Sequence, residues 1–303
     1  MADSFPTLAD IAVFDNIDLP PGVISDVLDS APVVARMAAN STPGQDLKYE
    51  KLTANPAVGF RAINDGRDFD KSTHIEVTEP LKVLDCSFAA DVAVASSYRP
   101  GGTAGYLQLQ LERHVSAAFH TLEDQIFNGT DAVNGFDSLP SKIDSSMTLA
   151  PQSAPTLGET SEQIFAIRNG IFDCNIVLGE EGRIFVGDTQ IQDMVGANGH
   201  YPAHYTPAYT RAGLMVGSIY SAAYIGVAVT VDDDLLADLW SAFPSGAKPN
   251  MFVMNRTAYR KLQQSRTATN PTGSPAPFPS FWEGGDSSIP IITTDVLQST
   301  AGS

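Results

Sequence analysis

Residues 106–127 read YLQLQLERHVSAAFHTLEDQIF, and this stretch decides the fold class. Leu107, Leu111, Val115, Ala118, Leu122 and Ile126 recur at steps of 4, 4, 3, 4 and 4. Side chains at those steps share one face of an α-helix. The opposite face carries Gln110, Arg113, Glu123 and Asp124. About 22 residues at ~1.5 Å each make a rod of roughly 33 Å. Arg99-Pro100-Gly101-Gly102 breaks the chain before it, and Gly129 is placed to end it. The spacing predicts a long helix over 106–127. Its core stripe is Leu107, Leu111, Val115, Leu122 and Ile126.

Upstream, residues 46–79 read as a long β-hairpin. Lys48–Thr53 (KYEKLT) and His74–Glu79 (HIEVTE) both alternate. Its large apolar residues are few: Tyr49, Leu52, Val58, Phe60, Ile63, Phe69, Ile75 and Val77. Split between two faces, they cannot stabilise an isolated ribbon in water. A partner surface is needed, and an open strand edge invites one. Leu81–Ala95 reads as a hydrophobic strand region, and residues 21–37 as a short helix before the loop at Asn40–Gln45.

Downstream of the long helix, residues 130–160 are loop-like. Thr160–Ile167 reads as a helix or strand, Arg183–Val186 as a strand and Leu214–Val231 as strands. Asp232-Asp233-Asp234 caps a helix carrying Leu235, Leu236, Leu239 and Trp240. Asn250–Met254 is a buried strand, and Asn255 caps a helix from Arg256 to about Gln264. Residues 266–289 read as a loop, and Ile289–Val296 as a last strand. The class is α+β with one dominant helix.

The 303 residues carry 35 Asp+Glu against 18 Lys+Arg, a net charge of -17. Nucleic-acid binders cluster Lys and Arg, because each neutralised phosphate needs a cation. Arg260-Lys261 is the only adjacent basic pair. Tight nucleic-acid binding and attraction to an anionic membrane are therefore not expected. No apolar run is long enough to cross a bilayer. Cys86 and Cys174 read as two buried free thiols, since one disulfide is a poor framework for a chain of this size. The first ten residues lack a basic signal-peptide region, so a cytoplasmic site of synthesis is expected.

Chemistry-bearing motifs are missing: no P-loop, no GxSxG elbow, no HExxH and no CxxC. His114 and His120 stand six apart on the helix, off a common face. His200 and His204 fall in a segment read as a Tyr/Pro-rich surface loop, without a third ligand. Asp65, Asp68 and Asp70 lack the glycine of a calcium loop and read as a charged hairpin tip. Asp232–Asp234 are explained as a helix N-terminus. Arg256 and Arg260 share a helix face with Lys261 beside them, either a solvated face or a pairing site for an acidic neighbour. No catalytic residue, cofactor or metal site is expected.

The ordered set of segments resembles the major capsid proteins of tailed bacteriophages, with the HK97-like fold. Val23–Met37 (VISDVLDSAPVVARM) is similar to that family's N-terminal arm helix. Tyr49–Gly66 (YEKLTANPAVGFRAINDG), followed by Glu76–Leu84 (EVTEPLKVL), resembles its extended E-loop leading into a P-domain strand. Tyr106–Gly129 resembles its spine helix. Met251–Leu262 (MFVMNRTAYRKL) and Ile289–Asp295 (IPIITTD) resemble A-domain core elements.

The resemblance implies an N-terminal arm over 1–45, an E-loop hairpin over 46–80 and a P-domain with the spine helix over 81–150. Residues 151–303 are then mainly A-domain, with some return to the P-domain. It implies a structural, non-enzymatic protein that self-assembles as hexamers and pentamers into an icosahedral shell around viral DNA. The chain would assemble in the host bacterial cytoplasm and end in the virion capsid. Subunit-interface candidates are Tyr49, Leu52, Phe60, Arg61, Phe69, Ile75 and Val77. About 20 residues precede the first helix, so scaffolding is expected from a separate protein. A portal is also expected as a partner, and a decoration protein is compatible with the family. Two alternatives stay open: an encapsulin-type compartment enclosing a cargo enzyme, and an acidic soluble hydrolase using Asp232 or His204.

Overall fold

The computed structural model describes residues 31–68, 70–99, 101–149, 160–179, 182–196, 199–270, 274–284, 287–298 and 300–301. Its strands form four sheets. The first runs β1 (Ala39–Ser41), β7 (Cys174–Leu178), β11 (Ala208–Val216), β4 (Lys82–Asp85), with β8 (Phe185–Val186) also on β11. A three-stranded sheet is ordered β5 (Phe88–Asp91), β10 (Gly199–Thr206), β9 (Gln190–Gly196). The largest sheet runs β12 (Ala222–Ala228), β6 (Thr160–Ile167), β13 (Met251–Met254), β15 (Ser287–Thr293), β14 (Phe281–Gly284). In it β16 (Thr300–Ala301) also pairs with β6. The fourth is a ribbon of β2 (Asp46–Ala54) and β3 (Thr73–Pro80). The helices are α1 (Val92–Ser96), α2 (Gly102–Asn128), α3 (Leu139–Lys142), α4 (Asp233–Ser241) and α5 (Arg256–Ala268).

The largest sheet is covered on both faces, and its sequence shows how. Alternate residues of a strand point to opposite sides. Phe165, Ile167, Met251, Val253 and Ile292 pack with Leu122, Ile126 and Phe127 of α2. Ile164, Ala166, Phe252, Met254, Ile289 and Ile291 pack with Leu235, Leu236 and Leu239 of α4 and Ala258 and Leu262 of α5. A strand buried on both sides reads as an unbroken apolar run, which is why MFVM carries no polar alternation.

The long helix starts after Gly101, whose φ of 84° lies in the left-handed region open to glycine. It ends where the Gly129 N–H donates to the Gln125 carbonyl. Its apolar stripe meets two environments. Leu122 and Ile126 are fully buried, whereas Leu107, Leu111 and Val115 are only partly covered. Here Tyr106 packs with Ala90, Val94 and Ala95 in a small satellite core.

Several elements differ from the sequence reading. Val92–Ser96 is helical rather than a strand, because the Asp91 carboxylate accepts from the Ala93 N–H and caps it. Thr160–Ile167 resolves as a strand. The strand read over Arg183–Val186 is confined to Phe185–Val186. His200 and His204 lie in strand β10, not a surface loop. The stretch read as a loop at 266–289 contains the end of α5, all of β14 and the start of β15. Most of the arm helix read over 21–37 lies outside the described residues. Its tail, 32–36, forms hydrogen-bonded turns. Cys86 and Cys174 are free and buried, as expected.

Candidate assembly surface

The β2–β3 ribbon is anchored at one end and bare at the other. At its root, Leu47 and Tyr49 pack against Leu81, Val177 and Met215. The fit is close here: a Cβ on Gly213 of β11 would sit 2.7 Å from Leu81 Cδ2 and 3.3 Å from the Pro80 carbonyl oxygen. The Tyr49 hydroxyl donates to the Val216 carbonyl at 3.4 Å. Burial, joined by the Glu79 carboxylate beside it, pushes the Tyr49 phenol up to about 12. Glu79 also pairs with Lys142 of α3, whose Nζ donates to the Leu214 carbonyl at 2.8 Å. Both side chains of that pair are largely buried.

Beyond Leu52 the ribbon leaves the body. Leu52 and Ile75 are about half exposed, and Val77 is partly covered. Val58 is 86% exposed, Ile63 92%, and Phe60 is fully exposed. Polar bonds hold the tip in shape among the described residues. The Asp70 carboxylate accepts from the Ala57 and Lys71 N–H groups at 2.9 and 2.8 Å. Those two bonds lower the Asp70 pKa. Arg67 donates to the Ala57 and Gly59 carbonyls, and Arg61 to the Asp65 carbonyl at 3.0 Å. Phe69 lies outside the described residues. The remaining interface candidates thus divide: Tyr49 and Val77 sit toward the root, Leu52 and Ile75 midway, Phe60 and Arg61 at the exposed end.

One organising residue is misplaced by the sequence reading. Glu123, assigned to the face of the long helix opposite its apolar stripe, is wholly buried. Its Oε2 accepts from the Val33 and Val34 N–H groups at 2.9 and 3.1 Å, and its Oε1 from the Thr294 hydroxyl. The available signal was its place beside Leu122 and three residues before Ile126, on the flank of the apolar stripe.

The residues weighed for chemistry are dispersed. Among the described residues, no group of three metal-ligating side chains comes together. His200 Nδ1 faces Asp193 at 3.0 Å on the exposed β9–β10 hairpin. The Asp232 side chain accepts from the Leu235 N–H at 2.9 Å as the cap of α4, so its position is accounted for by the helix. His114 stacks on Phe88, and burial lowers its pKa.

No protein-family model matches the sequence, and no curated protein gives a significant match. Solved structures do match. The structure of bacteriophage Epsilon15 aligns with a TM-score of 0.66 at 15% identity, covering 100% of this chain and 98% of that one. The capsid of bacteriophage JBD30 aligns at 0.54 with 9% identity, over 94% and 98% of the two chains. The JBD30 capsid decorated with minor capsid protein trimers aligns at 0.52 with 11% identity, over 95% and 98%. With its long helix, its projecting ribbon and its doubly covered sheet, the chain has the HK97-like fold of tailed-bacteriophage capsid proteins.

Proposed function

We propose that this chain is the major capsid protein of a tailed bacteriophage, and that its copies assemble as hexamers and pentamers into an icosahedral shell around the viral DNA. The observation that carries this reading is the ribbon: rooted by Tyr49 and the Glu79–Lys142 pair, it holds Val58, Phe60 and Ile63 out in solvent. The fold likeness to phage capsid structures over nearly the whole chain supports it. On this reading, residues 1–45 are the arm, 46–80 the E-loop, 81–150 the P-domain with its spine helix, and 151–303 mainly the A-domain with a return to the P-domain. Tyr49, Leu52, Phe60, Arg61, Phe69, Ile75 and Val77 meet neighbouring copies.

The work of such a protein is mechanical. Apolar side chains at the ribbon tip gain about 25 cal/mol per Å² when a neighbour removes them from water. That burial offsets the cost of fixing the ribbon, about 1–2 kcal/mol per residue for backbone alone. The net charge of -17 supports a wall that does not hold its packaged polyanion. A separate scaffolding protein, a portal and a decoration protein are the proposed partners. Assembly takes place in the host bacterial cytoplasm, and the role is structural rather than catalytic.

Sedimentation and electron microscopy of the purified chain test this. Closed particles far larger than a monomer are expected. Amides of residues 48–53 and 73–79 should exchange fast in free subunits and slowly in shells. A chain that stays a small particle at every concentration, with no change in protection, overturns the reading.

A further inference from the structure

Helix α5 has the sequence RTAYRKLQQSRTA, with four cations and no acid, in a chain that has only 18 cations in all. Helix α4 has the sequence DDLLADLWS, with three carboxylates and no cation. Part of this charge is matched within the subunit. Arg266 holds Asp233 through two bonds of 2.9 and 2.6 Å, and Lys261 pairs with the buried Glu162 at 3.2 Å.

The rest faces solvent. Arg256 and Arg260 are exposed one turn apart on α5, and Asp234 and Asp238 are exposed one turn apart on α4. Arg256 meets Asp295 only loosely, at 3.6 Å with 79% of its side chain exposed. The side chains of Arg260, Asp234 and Asp238 make no ion pair among the described residues. Both helices cover the same face of the largest sheet, joined by the Arg266–Asp233 pair. Asp238 lines a surface hollow with Ile225 of edge strand β12, whereas Arg256 reaches Asp295 past the end of β15.

We propose that the Arg256/Arg260 face of α5 docks on the Asp234/Asp238 face of α4 in a second copy. Each face presents two charges at the same spacing, about 6 Å along its helix, so the pairs align in register. A contact between two different patches of identical chains is head-to-tail, and such a contact builds a ring where its rotation closes. The inference rests on the shell-forming reading and assigns the charge contacts that hold neighbouring subunits around one ring. It also gives two strongly acidic chains a local attraction where they meet.

The test uses charge reversal in the full chain: Asp238→Lys, Arg260→Glu and the double variant. Both side chains are exposed, so melting of the free subunit should be unchanged. Each single reversal should lower the yield of assembled particles by about tenfold or more, because like charges then face each other. The double variant restores opposite signs and should recover wild-type yield. Mixing the two single variants should favour even-numbered rings, since odd rings cannot alternate. The neutral variants Asp238→Asn and Arg260→Gln, which keep side-chain size, should each lower the yield by about threefold. Wild-type yields from the single reversals, no recovery in the double, or no effect of the neutral changes overturns the pairing alone. A wild-type chain that does not assemble overturns the pairing and the shell reading together.

Discussion

The doubly covered sheet and the β2–β3 ribbon are both built of paired strands and have opposite fates. In the sheet, every side chain of Met251–Met254 is buried, with helices on one face and the long helix on the other. In the ribbon, burial ends near Tyr49, and Val58, Phe60 and Ile63 face water. The sheet completes its burial inside one subunit; the ribbon has a fastened base and an unfinished end. On the proposed function, stability of the subunit and competence to assemble are held in different places, and substitutions should separate them.

The largest effect is expected in the sheet. Phe252→Ala removes a wholly buried ring that meets Trp282 edge-on at 5.6 Å. It should destabilise the free subunit by about 3–5 kcal/mol in denaturant unfolding. A cost below about 1 kcal/mol would break the contrast. Next comes the root of the ribbon. Lys142→Met leaves Glu79 partly buried without its cation, which should cost about 2–4 kcal/mol. Hydrogen exchange should show the ribbon base loosening first; uniform loosening of the whole subunit would place the pair in the common core instead.

At the tip, Phe60→Ser should change subunit stability by no more than about 0.5 kcal/mol while reducing shell yield. Normal assembly of that variant would remove the tip from the interface. The smallest effect is a titration. The folded Tyr49 phenol stands near 12, above its usual value of 10.0. Its neutral form is favoured by folding. The contribution is intact below about pH 10 and is lost as pH rises through the folded value. Phenolate absorbance should show this tyrosine ionising late, and Glu79→Gln should bring it back toward the ordinary range. Ionisation at the ordinary value in wild type would show the root to be open to water.

Much of this division was legible in the sequence. The long helix announced itself because six apolar residues kept a helical step over five turns. The ribbon was legible from alternation on both sides of a polar stretch, and α4 and α5 from the capping residues Asp232 and Asn255. What periodicity could not give is what covers each face. Leu107 and Leu122 look alike in sequence, yet only Leu122 lies against the large sheet. Strands β9 and β10 were missed because Pro202 stands inside β10, opposite Asp193, where proline argues against a paired strand. Glu123 was misread because a carboxylate is buried only when distant donors reach it. Those donors, on residues 33, 34 and 294, belong to segments with no sequence relation to the helix.

The Glu123 carboxylate also sets an order of events during synthesis. Its three donors lie 90 and 89 residues before it and 171 residues after it. At about 5–20 residues per second, the ribosome needs roughly 10–30 s to pass from Glu123 to Thr294. Until then the carboxylate lacks its hydroxyl donor, and β15, whose end carries that donor, has not joined the sheet. Ribosome-stalled chains ending before residue 294 should leave residues 33–37 open to protease, and protection there would refute this order. The full set of bonds around that carboxylate, which holds the turn at residues 33–34, therefore waits until residue 294 has emerged.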